Sequence, residues 1–121
     1  NYNGIGLYTI SGGTLTLVAS STNDVSATLW TTAPGMGSKA FSSTYAASAG
    51  LYFIAFIYSA SSAGTAPGLG ILGAGSSVNT ITDFTNSTKT SGLLSSQTSL
   101  PATQAMSGIT AAGTEFWGGL Y

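Results

Sequence analysis

The sequence predicts an all-β domain, a sandwich of short strands joined by long Gly/Ser/Ala loops. Three observations lead there. Apolar, aromatic and β-branched residues alternate with a period of two in several runs, and glycine or proline punctuates the chain between them. Few apolar residues recur at helical spacing without an intervening glycine, so no amphipathic helix of ordinary length is expected. A chain of 121 residues suits one domain with one core, spanning 1–121.

The first strands are the clearest. Tyr8-Thr9-Ile10, the turn Ser11-Gly12-Gly13 and Thr14-Leu15-Thr16-Leu17-Val18-Ala19-Ser20 read as a hairpin, with Leu15 and Leu17 on one face and Thr14 and Thr16 on the other. Residues 21–24 are turn chemistry, and 25–31 are a short strand candidate with Leu29 and Trp30 on opposite sides. Ala33-Pro34-Gly35-Met36-Gly37 makes a loop, and residues 38–45 resume a pattern with Phe41 and Tyr45. Residues 51–58 are the strongest strand and apolar on both faces: Tyr52, Ile54, Phe56 and Tyr58 on one, Leu51, Phe53, Ala55 and Ile57 on the other. Such a strand requires cover on both sides, either centrally in a sandwich with an extra layer or at a subunit interface.

The second half is looser. Residues 59–68 form a Ser/Ala/Gly loop, 69–72 a short apolar piece, 78–84 a weak alternation and 92–96 another short piece. Leu100-Pro101 starts a strand edge, residues 106–110 follow, and Thr114-Glu115-Phe116-Trp117-Gly118-Gly119-Leu120-Tyr121 ends the chain. Asn86-Ser87-Thr88 matches a glycosylation triplet, which arises readily by chance in a Ser/Thr-rich chain.

Composition excludes several kinds of function. Lys39, Lys89, Asp24, Asp83 and Glu115 are the only charged side chains, and Gly, Ala, Ser and Thr make up more than half the chain. Such a surface has almost nothing for salt to screen or pH to titrate, which suits a protein outside a cell or inside a large assembly. Without histidine or cysteine the chain lacks the usual general base, the thiolate nucleophile, the common transition-metal ligands and any disulfide. Two scattered lysines and no arginine leave no cationic patch for nucleic acid. The longest apolar run is far shorter than the ~20 residues a spanning helix needs, so no membrane insertion is expected. The chain opens at Asn1, as expected of a processed product or part of something longer.

A glycosidase needs two carboxyls at a set separation, and Asp24, Asp83 and Glu115 are dispersed in sequence, so solvated or capping carboxylates and no catalytic residue are expected. Asn23-Asp24 or Asp83 with backbone carbonyls supply some oxygens of a calcium site, too few to predict a metal; no cofactor is expected. Trp30, Tyr45 and Tyr2 are the candidate glycan contacts, since an aromatic face suits the C–H face of a sugar ring, weighed against a role in the core that is favoured for Trp30 and more so for Tyr52, Phe53 and Phe56. Tyr121 is another aromatic at a chain end. Tyr52, Ile54, Phe56, Tyr58, Phe116, Trp117 and Tyr121 are the candidate subunit-interface residues.

Gly6-Leu7-Tyr8, the run 14–21, Leu29-Trp30, Lys39-Ala40-Phe41, Tyr45 and Ala49-Gly50-Leu51-Tyr52-Phe53-Ile54-Ala55, with Ser99-Leu100-Pro101-Ala102 and Phe116-Trp117-Gly118-Gly119-Leu120, form an ordered series of aromatic blocks. This series resembles a C-terminal β domain of minor tail and fibre-type virion proteins of tailed phages that infect actinobacteria. The resemblance implies a jelly-roll-like β-sandwich, a homotrimer displayed on the virion beside other virion proteins, serving host-surface attachment or particle decoration, with a host-surface glycan as a possible ligand. It implies no catalytic motif. The other readings are a carbohydrate-binding module of a secreted bacterial protein and, further behind, a small glycan hydrolase.

Overall fold

Gly12 and Gly13 both adopt positive φ, 54° and 78°, the left-handed pair that a two-residue hairpin turn demands and that a side chain resists. They join the first two strands of a protein that is all-β. The computed structural model describes residues 2–25, 38–58, 71–72, 92–111 and 115–116. Their strands are β1 (Asn3–Ser11), β2 (Thr14–Ser20), β3 (Tyr52–Tyr58), β4 (Ile71–Leu72), β5 (Gly92–Leu93), β6 (Thr103–Ala105), β7 (Thr110–Ala111) and β8 (Glu115–Phe116). The principal sheet is curled and antiparallel, in the order β3-β1-β2-β6, while β4 pairs with β8 and β5 with β7. A single 3-10 turn, Met106–Gly108, is the helical element among the described residues.

Register decides which side chains share a face. Tyr8 lies opposite Leu17 on β2 and Phe53 on β3, and Ile10 lies opposite Leu15, so all five point the same way. Tyr8, Leu15 and Met106 form the buried core there, with Ile10, Leu17, Phe53, Ala55, Leu100 and Ile109 packed against it. The expected pairing of Leu15 with Leu17 on one face holds. Between Leu7 and Tyr8 the register slips, because Leu7 faces Ala19 while Tyr8 faces Leu17, leaving Val18 as an extra residue. That bulge reverses the alternation of β2 and turns Ala19 to the opposite face beside Leu7, where both are buried.

The strand covered on both faces is therefore β1, in which consecutive residues Leu7 and Tyr8 are only 2% and 3% exposed. Of the two positions expected for residues 51–58, central in the sandwich or at a subunit interface, the described sheet does not give the central one. Among the described residues β3 stands at one end of the principal sheet, and only Ile57 of its residues is buried. Two glycines explain how β1 takes the inner place. A Cβ on Gly4 would sit 2.7 Å from Ser21 Oγ, and one on Gly6 would sit 2.9 Å from Leu100 Cδ1 and 3.0 Å from Leu17 Cδ1.

Elsewhere the described backbone departs from a plain run of strands. Leu100 and Pro101 lie before β6 without joining the ladder, since proline cannot donate to it. Residues 106–110 open as the 3-10 turn, whose Met106 N–H donates to the Gly13 carbonyl at 2.9 Å and tucks the turn under the hairpin. Residues 38–45 form no strand. They are held to the sheet by Ser42, whose N–H and Oγ both donate to the Ser20 carbonyl, at 2.8 and 2.9 Å.

Candidate functional site

The side chains open to a partner lie on and beside β3. Register places Tyr52 opposite Thr9, Ile54 opposite Leu7, Phe56 opposite Ile5 and Tyr58 opposite Asn3, which puts the stripe Tyr52-Ile54-Phe56-Tyr58 on the face of Leu7 and Ala19. All four residues of the stripe are half-buried. The expected grouping of these four on one face is thus what the backbone gives, and each keeps apolar surface in reach of solvent.

At the start of β3 the stripe meets a second aromatic. The rings of Tyr45 and Tyr52 stand edge to face, with centroids 6.1 Å apart and planes at 71°, the arrangement their quadrupoles favour. The Tyr52 hydroxyl donates to the Ser48 carbonyl at 2.8 Å, which pins the ring and leaves the pair at the surface next to exposed Leu51. The hydrogen bond to Tyr52 raises the Tyr45 pKa above its ordinary value. Tyr52 is lowered, first by the Ser48 side-chain hydrogen bond and then by that with Tyr45, since both favour its phenolate. Tyr2, the other described glycan candidate, is half-buried, and its Cε1 would lie 3.4 Å from a Cβ on Gly4. The structure brings Tyr45 onto the β3 stripe and keeps Tyr2 at the start of β1. Trp30, Trp117 and Tyr121 lie outside the described residues, and for Phe116 the backbone alone is described, paired with Ile71.

Of the two roles expected for the carboxylates, solvated or capping, Asp24 does not take the solvated one. Asp24 is 7% exposed and pairs with Lys39, whose Nζ lies 3.6 Å from Asp24 Oδ2. Around it the Asp24 N–H donates to the Asn3 carbonyl at 2.8 Å. Asn3 answers with two bonds, its Nδ2 to the Asp24 carbonyl and its N–H to Asn23 Oδ1, both 3.0 Å. Ser21 continues the same seam, its Oγ accepting from the Ile5 N–H at 3.1 Å and its N–H donating to the Ile5 carbonyl at 2.9 Å. The polar run 21–24 reads in sequence as a surface turn; in the structure Ser21 and Asp24 are buried, and residues 38–45 return beside the run through Lys39 and Ser42, a contact that no local pattern announces.

Among the described residues no three His, Cys, Asp or Glu side chains gather as metal ligands, and no helix is long and apolar enough to cross a membrane. Asp83 lies outside the described residues, and so does the side chain of Glu115. Compared with protein-family models, curated proteins and solved structures, the chain matches none.

Proposed function

We propose that the chain is a non-enzymatic structural module of a phage virion, a jelly-roll-like head domain that assembles as a homotrimer and serves host-surface attachment or particle decoration. The observation that carries this reading is the half-buried stripe Tyr52-Ile54-Phe56-Tyr58. Four large side chains aligned on a strand that ends its sheet among the described residues offer a subunit contact whose strength comes from apolar area. A chain with five charged residues opposes association with little charge repulsion. The ordered aromatic blocks that resemble fibre-type virion domains supply the context: a virion location, other virion proteins as neighbours and a host glycan as ligand.

Light scattering after size exclusion is expected to give three times the chain mass at micromolar concentration, unchanged between low and high salt because few charges are available to screen. A monomer mass in both conditions refutes the trimer, and absence of the chain from purified phage particles refutes the virion reading.

The second reading, a carbohydrate-binding module, is favoured by the half-buried Tyr45 and Tyr52 pair, because rings fixed at the surface by hydrogen bonds can stack on sugars at little entropic cost. A monomer that binds polysaccharide and loses that binding on Tyr45→Ala selects it. Neither reading includes turnover. Purified protein is expected to release no sugar or peptide from host cell-wall polymers, and release abolished by Asp24→Asn, Asp83→Asn or Glu115→Gln would make the protein a hydrolase.

A further inference from the structure

The seam between residues 21–24 and 38–45 holds a primary amine and a carboxyl group close together and largely out of water. Lys39 Nζ and Asp24 Oδ2 are 3.6 Å apart, with the lysine 26% and the aspartate 7% exposed. That separation is beyond the range of an N–H···O hydrogen bond, so the amine and the carboxyl are held side by side without one between them. In the same knot Asn3, only 3% exposed and anchored through its Nδ2 to the Asp24 carbonyl, has an Oδ1 with no hydrogen-bond partner. A buried acceptor without a donor calls for an explanation.

We propose that Lys39 and Asp24 condense into an intramolecular isopeptide bond, a covalent staple between the loop after β2 and the returning segment. In the step one proton moves from Lys39 Nζ to an Asp24 carboxylate oxygen, 3.6 Å away, which gives an amine and a carboxylic acid. The Nζ lone pair attacks Asp24 Cγ. The C–N bond forms, the C–OH bond breaks, and the hydroxyl departs as water with a second proton from the amine. Nothing is oxidised or reduced, and no co-reactant is consumed. Enforced proximity replaces the activation that free amine and acid would need. The product is a neutral amide with one N–H donor, formed in the same knot as the unpartnered Asn3 Oδ1. It also reinforces the Ser42 anchor on Ser20 in a chain that has no cysteine for a disulfide.

The sequence makes the test direct. Lys39 and Lys89 are the only lysines and there is no arginine, so trypsin acting on the denatured chain with a free Lys39 gives peptides 1–39, 40–89 and 90–121. An acylated Lys39 is not cleaved, and the expected products are 1–89 and 90–121, from a protein lighter than its sequence by one water. Lys39→Arg keeps the positive charge but has no amine to acylate, so it is expected to restore the full mass and cleavage after position 39. A wild-type chain at full mass that releases 1–39 overturns the proposal. Loss of ammonia in place of water also overturns it, since that points to an asparagine, including cyclisation at Asn3-Gly4. So does a loss of water that persists in Lys39→Arg. Should Lys39→Arg fail to fold, the mass and digest of the wild-type chain decide alone.

Discussion

Replacing Tyr8 by alanine is expected to destabilise the domain by about 3–5 kcal/mol, the cost of emptying a large aromatic site in a packed core. Tyr8 is 3% exposed at the centre of the cluster with Leu15 and Met106. Its ring is flanked by Leu17 and Phe53, which the ladders hold on the neighbouring strands. The hydroxyl adds a second role. It donates to the Pro101 carbonyl at 2.8 Å, a contact across 93 residues of sequence, and so holds the approach to β6 against β1. Tyr8→Phe keeps the ring and removes this bond, for an expected loss of about 0.5–1.5 kcal/mol. Urea unfolding at one protein concentration measures both, as lower midpoints at unchanged slope. An alanine variant within 1 kcal/mol of wild type, order-of-magnitude, would show that this cluster does not hold the fold.

The same hydroxyl carries a pH signature. Burial, with a smaller contribution from the Tyr2 hydroxyl, pushes the Tyr8 pKa from 10.0 up to about 12. A raised folded-state pKa means that the unfolded chain gives up this proton first, so the stabilisation is intact below about pH 10 and is lost as pH climbs toward 12. Two pKa units correspond to roughly 2–3 kcal/mol. Alkaline unfolding of wild type is therefore expected to be steeper across this window than that of Tyr8→Phe, and coincident pH slopes for the two proteins would remove the role given to Tyr8.

Gly6→Val is the other severe substitution. A Cβ at this position already stands 2.9 Å from Leu100 Cδ1, 3.0 Å from Leu17 Cδ1 and 3.2 Å from Tyr8 Cε2, so the two further methyl groups of valine meet the core from three sides. Overpacking of this kind costs typically about 1–3 kcal/mol and occasionally more, because the neighbours must leave their rotamers or β1 must part from β2. Gly50→Ala is the internal comparison, since its Cβ would meet only Tyr52 Cε2, at 4.0 Å. Thermal unfolding is expected to place Gly6→Val well below Gly50→Ala, and equal melting temperatures would mean that the room above Gly6 is greater than the packing indicates.

Much of the candidate surface was legible before any coordinates. The alternation in residues 51–58 places Tyr52, Ile54, Phe56 and Tyr58 on one face wherever the strand sits, because successive side chains of a strand must point to opposite sides. The pairing of Tyr45 with Tyr52 was not legible. It depends on how residues 46–51 turn back, which no hydrophobic period encodes. Likewise Asp24 in sequence is one polar residue in a polar run, and its burial becomes visible only when Lys39 and Ser42 are seen to close over that run.

What the sequence determined by itself is the all-β class, the hairpin about Gly12 and Gly13, and the faces of its strands, since these follow from φ limits at glycine and from a period of two, both local properties of the backbone. What only the tertiary structure decided is the order of the strands. By its apolar content the strand of residues 51–58 looks the fitter for the centre of a sheet; among the described residues β1 takes the inner place, and Gly4 and Gly6 let side chains approach its backbone where a larger residue would meet them. The bulge at Val18, the Tyr8 bond to Pro101 and the buried Asp24–Lys39 pair belong to the same class. Each joins groups through packing between distant segments, and the free energy that selects such contacts resides in the closed core and not in any short stretch of chain.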